Sequence, residues 1–159
     1  MSDGDAFLGE AIRLAYENVR QGGRPFGAVV VKDGRVVAHG VNRIQADNDP
    51  TAHAELLALR AAGKALGSPR LDGCSVYASG QPCPMCMAAM RLAGVTEIVF
   101  AYSNEQAEPF GLSTAPIAAE LAQPLEKQTW VAIRHAPPSE PESALYRAWR
   151  ANGLKSMRL

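Results

Sequence analysis

The sequence is poor in several features, and each shortage excludes a class of protein. Only three of the 159 residues are cysteine, Cys74, Cys83 and Cys86, an odd number that does not suit a disulfide scaffold. Basic and acidic residues balance at 16 each, so there is no net field to attract a polyanion and nucleic-acid binding is not expected. No apolar run approaches the roughly 18 residues of a membrane span. Charged residues run through positions 1–20, unlike a leader peptide. We therefore expect a cytoplasmic protein that binds neither nucleic acid nor membrane.

What remains is the composition of an ordinary globular domain. Hydrophobic residues make up 47% of the chain, and a chain of this length buries about 68–70% of its unfolded surface on folding. Such a core needs no disulfide or metal to hold it together. We therefore interpret residues 1–159 as a single domain.

Apolar periodicity predicts alternating helices and strands. Helical spacing marks residues 6–20, 51–66, 83–92, 115–121 and 143–152. Strand patterns mark residues 27–31, 36–41, 74–78, 96–102 and 129–134. Asp33-Gly34 is a hairpin signal between the first two strands, residues 103–114 are expected to be irregular, and Leu145 and Trp149 are expected to face inward from the last helix. This order predicts an α/β fold, a three-layer α/β/α sandwich around a mixed five-stranded sheet.

Two short motifs at predicted helix starts carry the chemistry. His53 and Glu55 lie two residues apart at the start of a helix for which Asp49 is the expected cap. Cys83 and Cys86 open the next helix three residues apart, so they face the same way, and the helix N-terminus favours their thiolates. Residues two apart point about 200° away from each other on a helix, so His53 and Glu55 can share a site only over the helix end. The sequence therefore predicts two helix N-termini that converge on one metal ion.

The predicted ligands are those of a catalytic zinc ion, Zn²⁺. One imidazole, from His53, and two thiolates, from Cys83 and Cys86, form a tetrahedral site with the fourth position open to water, and zinc lowers the pKa of that water toward about 7. Glu55 is expected to carry protons from the water to a ring nitrogen and to the leaving amine. The pattern is the H-x-E…P-C-x-x-C signature of nucleobase deaminases. It predicts the hydrolytic removal of an amino group from a small heterocycle.

Either half of the motif has an ordinary explanation when it stands alone. A lone C-x-x-C is more often a redox pair or half of a structural zinc site, and a lone H-x-E is close to noise. Each of the two opens a predicted helix after a suitable loop, and their combination favours the catalytic interpretation. Cys74 lies inside a predicted strand and is interpreted as a core thiol, and His39 and His135 as surface or strand-end residues.

At these residues the chain resembles the cytidine deaminase superfamily and, within it, the bacterial guanine deaminases. The similar segments are 24–29 (RPFGAV), 48–55 (NDPTAHAE), 82–86 (PCPMC) and 148–150 (AWR). The resemblance implies a cytidine deaminase-like fold with zinc bound by His53, Cys83 and Cys86, and with Glu55 as the proton shuttle. The implied reaction is the conversion of guanine to xanthine and ammonia.

The resemblance also implies how the substrate is held. Asn42 would hydrogen-bond the edge of the base with help from the backbone of Ala54, and Phe26 would stack on the ring. In the family an acidic residue in the loop after the fourth strand contacts the substrate amine, and Glu105 and Glu108 are both candidates.

The resemblance implies a homodimer as well. In the family the C-terminal segment, here the helix and tail at 143–159, can cross to cap the partner's site. The proline-rich connection at 136–141 would permit such an exchange.

The chain departs from the guanine deaminase pattern in three places. Gln81 stands where the family has Glu before Pro-Cys-Pro, and Leu92 where the family has an aromatic residue. The tail, 155–159 (KSMRL), lacks the aromatic residue that closes the pocket in the family. Another aminopurine, a pterin, an aminotriazine, cytosine or a nucleoside therefore stays open as the substrate.

Two functions of other classes compete with this interpretation. A tRNA adenosine deaminase would need a basic groove, for which Arg147, Arg150, Lys155 and Arg158 could form a local patch, although the neutral overall charge counts against it. A structural zinc protein or a thiol-redox module has no need of Glu55 beside an open metal position.

Overall fold

A computed structural model describes residues 3–152 of this chain. The chain divides into two compact units, residues 1–122 and 123–159. The helices and strands of the first unit are α1 (Asp3–Arg20), β1 (Gly27–Lys32), β2 (Arg35–Val41), α2 (Ile44–Asp47), α3 (Ala54–Leu66), β3 (Cys74–Gly80), α4 (Pro84–Ala93), β4 (Glu97–Tyr102), α5 (Asn104–Ala107), a 3-10 turn (Glu108–Phe110) and α6 (Ala115–Leu121). The second unit contains a 3-10 turn (Leu125–Lys127) and α7 (Ala144–Ala151). The expected roles of Lys155, Arg158 and the tail fall outside the described residues.

The sheet of the first unit is mixed, as expected. Its strand order is β2-β1-β3-β4, with β1 antiparallel to both of its neighbours and β3 parallel to β4. Asp33 and Gly34 connect β1 and β2 with φ values of 51° and 71°, as a type I′ hairpin requires. The hairpin prediction is therefore confirmed.

Helices cover the two faces of this sheet. On one face α1 packs over Val29, Val31 and Tyr77. On the other face α3 and α4 pack over a larger cluster that includes Val30 and Met90. Alternate residues of β1 thus enter two different cores, which is why residues 28–31 are all apolar.

One glycine sets the position of α3 on the sheet. A Cβ atom at Gly40 would collide with the carbonyl oxygen of Ala54 and the amide nitrogen of Ala58. The missing side chain therefore lets the first turn of α3 lie directly against β2. The residues at the helix start come to lie beside the end of that strand.

The prediction of a fifth strand is wrong. Within the described residues the sheet has four strands, and residues 129–134 form no strand. Local strand propensity at Thr129, Val131 and Ile133 is real, but a strand also needs a partner for its backbone N–H and C=O groups. Sequence pattern alone does not supply that partner.

Helix starts and ends also differ from expectation. The helix predicted from residue 51 begins at Ala54, because the carboxylate of Asp49 accepts a bond from the Thr51 amide at 2.8 Å and closes a turn there. Residues 103–114 are not wholly irregular, since a capping box between Ser103 and Gln106 starts α5.

The inward orientation expected for α7 is wrong in this chain. Leu145 is 71% exposed and Trp149 is 43% exposed. Among residues 3–152, no helix combines the length and the apolarity that a bilayer crossing requires.

Candidate active site

Two helix N-termini meet at the predicted metal site. His53 is the N-cap of α3 and Cys83 the N-cap of α4, both with extended backbone. Neither side chain caps its own helix, which leaves both free to point at a shared ligand. Cys86 follows one turn into α4, and Pro84 fits the first turn because a proline needs no amide partner there.

The three ligand atoms have the spacing of a zinc site. Nδ1 of His53 lies 3.5 Å from Sγ of Cys83 and 3.6 Å from Sγ of Cys86, and all three atoms lie within 4.8 Å of one another. Tetrahedral zinc, with Zn–N near 2.0 Å and Zn–S near 2.3 Å, separates nitrogen from sulfur by about 3.5 Å. The residues therefore fit a zinc ion bound through Nδ1 and two thiolates.

The electrostatics of the cluster also suit a divalent cation. A hydrogen bond from Cys86 lowers the pKa of the Cys83 thiol to about 4. That bond, together with burial, raises the pKa of Cys86, and hydrogen bonding to Cys83 raises the pKa of His53. A lowered thiol pKa at a helix end that favours negative charge suits a ligand that binds metal as a thiolate, and metal binding would displace the proton of the other thiol.

Glu55 lies beside the cluster without belonging to it. Among residues 3–152, one group of side chains is placed to hold a metal ion, and it consists of His53, Cys83 and Cys86. The carboxylate of Glu55 accepts a hydrogen bond from the Cys86 thiol at 3.5 Å and the residue is 7% exposed. Burial raises the pKa of this carboxyl, so it can hold a proton as well as accept one.

The residues expected to hold the base, Phe26, Asn42 and Ala54, are half-buried or buried. Asn42 follows β2 and is 5% exposed. Its Oδ1 accepts the Ile44 amide at 3.3 Å, whereas its NH₂ group has no hydrogen-bond partner within residues 3–152. Ala54 is fully buried at the first position of α3, where backbone N–H groups lack intrahelical partners. Phe26 is half-buried and packs on Gly80, which leaves room for its ring.

The two acidic candidates lie elsewhere. Glu105 in α5 and Glu108 in the following turn are both exposed, and neither belongs to the metal-binding group. Their contact with a substrate amine stays a prediction. Cys74 is fully buried in β3, so its interpretation as a core thiol is confirmed.

Sequence reasoning missed Asn18. This residue lies in the last turn of α1 and is 8% exposed, and its Nδ2 donates to the carbonyl of Arg24 at 2.8 Å and to the carbonyl of Asn42 at 2.9 Å. A polar residue at a helix end is usually solvated, and its partner at position 42 is distant in sequence. No local signal could have found it.

Sequence reasoning also missed Ser79, at the end of β3. Its hydroxyl accepts from the Gly27 amide at 3.0 Å and donates to the Pro25 carbonyl at 3.4 Å, and the residue is almost fully buried. These bonds bracket Phe26 on both sides. The segment before β1 is therefore held in place by neighbouring strands rather than left as a free loop.

An imidazole, two thiolates and a buried carboxylate, placed where two helices start on an α/β/α sandwich, define a hydrolytic zinc centre. The family model described as the cytidine and deoxycytidylate deaminase zinc-binding region matches residues 1–102, a span that holds all four of these side chains. The chain therefore belongs to this family of zinc-dependent deaminases.

Individual relatives define the branch. The guanine deaminase of Bacillus subtilis is 44% identical over 126 residues, which are 79% of this chain and 81% of the relative. The solved structure of guanine deaminase from Bacillus subtilis matches with a TM-score of 0.88, 39% identity and 98% of both chains covered. A tRNA-specific adenosine deaminase of Bacillus subtilis is 38% identical over 100 residues, 63% of this chain and 62% of the relative. The resemblance to guanine deaminases in the deaminase superfamily is thus confirmed.

Proposed function

We propose that this deaminase converts guanine and water to xanthine and ammonia. The observation that carries the proposal is the extent of the likeness. The guanine deaminase structure matches 98% of the chain, including the unit after residue 122, whereas a solved structure from a study of tRNA:A34 deaminases matches 62% of it with a TM-score of 0.61. A shared second unit favours a shared substrate class.

The residues of the site divide the work. His53, Cys83 and Cys86 hold zinc, which when bound supplies a water activated for attack at neutral pH. Glu55 takes a proton from the water as its oxygen bonds to the ring carbon that carries the amino group, and passes that proton to the adjacent ring nitrogen. Glu55 then takes the remaining proton from the new hydroxyl group and delivers it to the amino nitrogen, the C–N bond breaks with its electron pair on nitrogen, and ammonia leaves as the carbonyl forms.

The substrate is held by the residues around the helix end. Phe26 stacks on the ring, since its face is supported from behind by Gly80. Asn42 donates from its NH₂ group to an acceptor on the base edge, because its oxygen is already bonded to Ile44. The backbone N–H of Ala54 donates a further bond at the positive end of α3.

An acidic contact to the substrate amine is part of the proposal. Glu105 and Glu108 are the candidates, and replacing each in turn with Gln separates them. The variant that removes the contact should raise KM for guanine and leave the zinc content unchanged. A KM for guanine that is unchanged from wild type in both variants would exclude both residues.

An ammonia-release screen tests the substrate most directly. It compares guanine with adenine, cytosine, their nucleosides, pterins, aminotriazines and a tRNA substrate. We expect the highest kcat/KM for guanine. Activity confined to a nucleoside would overturn the free-base proposal. Activity confined to tRNA would establish the second candidate, for which Arg147 and Arg150, exposed on α7, supply part of a basic patch.

We further propose a homodimer in which the C-terminal segment, 143–159, is exchanged. Within the first unit a cavity of about 370 Å³ is lined by apolar side chains of α1, of the end of β4 and of the segment after it, among them Tyr16, Val19, Tyr102, Phe110 and Leu112. Several of these side chains are exposed in the single chain, Phe110 at 78%. The apolar side of α7 from a second copy would cover such a groove.

The proposed compartment is the cytoplasm. Two of the three cysteines must stay reduced to bind metal, and all three are free thiols in this structure. Reducing compartments keep such thiols available.

A further inference from the structure

We propose that Asn18 is a positioning residue for the substrate. Its side-chain amide fixes the backbone of the Phe26 segment relative to that of Asn42, and so sets the distance between the stacking ring and the edge-binding amide. The inference rests on the substrate roles proposed above for Phe26 and Asn42. Asn18 itself is not assigned a contact with the substrate.

A closed ring of hydrogen bonds connects these residues. Asn18 uses Nδ2 to donate to the carbonyls of Arg24 and Asn42 at 2.8 and 2.9 Å. The Phe26 amide also donates to the Arg24 carbonyl at 2.8 Å, and the Asn42 amide donates to the Phe26 carbonyl at 3.1 Å. Both substrate-side segments are therefore bonded to one buried amide group on α1, in addition to the bonds from Ser79 that flank Phe26.

Gly23 makes room for this arrangement. A Cβ atom at position 23 would lie 2.5 Å from Nδ2 of Asn18 and 2.7 Å from its Oδ1. The backbone of Gly23 does not have a positive φ, so alanine does not meet the strain of a left-handed conformation, and the three atoms nearest to its Cβ all belong to the Asn18 side chain. This offers a way to move Asn18 without replacing it.

A positioning role differs from plain structural support in what it does to kinetics. Losing contacts that hold the substrate equally in the ground state and in the transition state raises KM and leaves kcat unchanged, whereas a loss of stability elsewhere leaves binding by the folded enzyme unchanged. Glu55 and the zinc ligands are not bonded to Asn18. A defect at Asn18 should therefore raise KM and leave kcat and the zinc content close to those of the parent.

The test replaces the donor with an acceptor of the same shape. In Asn18→Asp, two backbone carbonyls face a carboxylate instead of an NH₂ group, and we expect KM for guanine to rise about tenfold or more with kcat changed less than about threefold. Gly23→Ala should act in the same direction. The matched control is Val31→Ala, a core truncation at the other end of β1, which should lower the melting temperature without raising KM.

A binding measurement separates this proposal from the choice of substrate. In a Glu55→Gln background the base should bind without turnover, and Asn18→Asp should raise its dissociation constant by the same factor as KM. If the wild-type enzyme prefers another base in the ammonia screen, that base replaces guanine in both measurements. If no base is turned over, a crystal structure of zinc-loaded Asn18→Asp decides by whether Phe26 and Asn42 have moved apart.

Three results would overturn the proposal. The first is an unchanged KM and dissociation constant in folded, zinc-loaded Asn18→Asp and Gly23→Ala. The second is a fall in kcat alone. The third is loss of zinc from these variants, which would make Asn18 a support of the metal site.

Discussion

The two units of this chain differ in the burial of their apolar side chains. In the first, side chains such as Val29, Val30 and Met90 are fully buried between a sheet and its helices. In the second, no residue of 123–152 is buried, and Trp130 and Leu145 are 58% and 71% exposed. Layered elements close in sequence can bury their own surface, whereas a turn, an extended segment and one short helix cannot.

The difference shows where the chemistry is built. Every side chain of the zinc cluster and Glu55 belongs to the first unit, so one core positions the metal ligands and the proton carrier. The second unit carries exposed apolar side chains, which is what the proposed exchange between two copies requires.

The largest expected effect comes from breaking the metal cluster of the first unit. Cys86→Ser removes a fully buried ligand from a three-residue site. We expect loss of stoichiometric zinc and a fall in activity of about 1000-fold or more, because the water loses its activation. Metal analysis combined with ammonia release measures both.

Cys74→Ser is the matched control for this variant. Cys74 is equally buried but outside the cluster, so zinc should stay at one ion per chain. Wild-type turnover by Cys86→Ser would contradict the assignment of the ligands.

The next effect is on stability and tests the comparison itself. Met90→Ala empties a fully buried position and should lower the free energy of unfolding by about 2–5 kcal/mol. Leu125→Ala, at a position that is 67% exposed, should change it by less than about 0.5 kcal/mol. Urea denaturation measures both, and equal losses would show that the second unit has a core of its own in solution.

Sequence reasoning succeeded where the residues of one short segment determine its structure by themselves. Asp33-Gly34 specifies a hairpin through its turn conformation, and residues 83–86 carry two ligands at the fixed spacing of one helical turn. The α/β class and four of the five strands followed from periodicity in the same way. The capping box of Ser103 and Gln106 was also visible in the sequence, and a search for it would have predicted α5.

Sequence reasoning failed where the cause lies elsewhere in the chain or outside it. The pattern at 129–134 is that of a strand, but pairing depends on a neighbour that local pattern does not name. The burial of Asn18 depends on the backbone at Asn42, which the fold alone brings close. Whether Trp149 is buried depends on contacts that α7 makes with other parts of the protein or with a second copy, and the helix pattern does not specify those contacts.

A smaller effect should come from the apolar side of α7. If a second copy binds this helix, Trp149→Glu should convert a dimer of twice 16.9 kDa to a monomer, because a charge replaces an interface aromatic residue. We also expect kcat/KM to fall about tenfold as the site loses its cover. Light scattering after gel filtration gives the mass.

Arg147→Glu is the control on the same helix, since residues two apart point about 200° away from each other. It should leave the mass unchanged. A wild-type protein that is monomeric at all concentrations would rule out the exchange.

The smallest effect is expected at the departure from the family pattern. Gln81 uses Oε1 to accept the Asn104 amide at 2.9 Å, and Asn104 in turn accepts the Thr114 amide at 3.1 Å. Gln81→Glu keeps an acceptor in place, so kcat/KM should change by less than about threefold. Gln81→Leu loses the hydrogen bond, which should lower the free energy of unfolding by about 0.5–1.5 kcal/mol. If Gln81→Glu is the more damaging variant, charge rather than the bond matters here.

The most direct test of the account is the proton carrier. Glu55→Gln keeps the size of the side chain and leaves His53, Cys83 and Cys86 untouched, so purified protein should still hold one zinc ion per chain. Its ammonia release should fall by about 100- to 10,000-fold, the usual contribution of a positioned acid and base. A Glu55→Gln enzyme that keeps its zinc and releases ammonia at the wild-type rate would contradict the proposed chemistry.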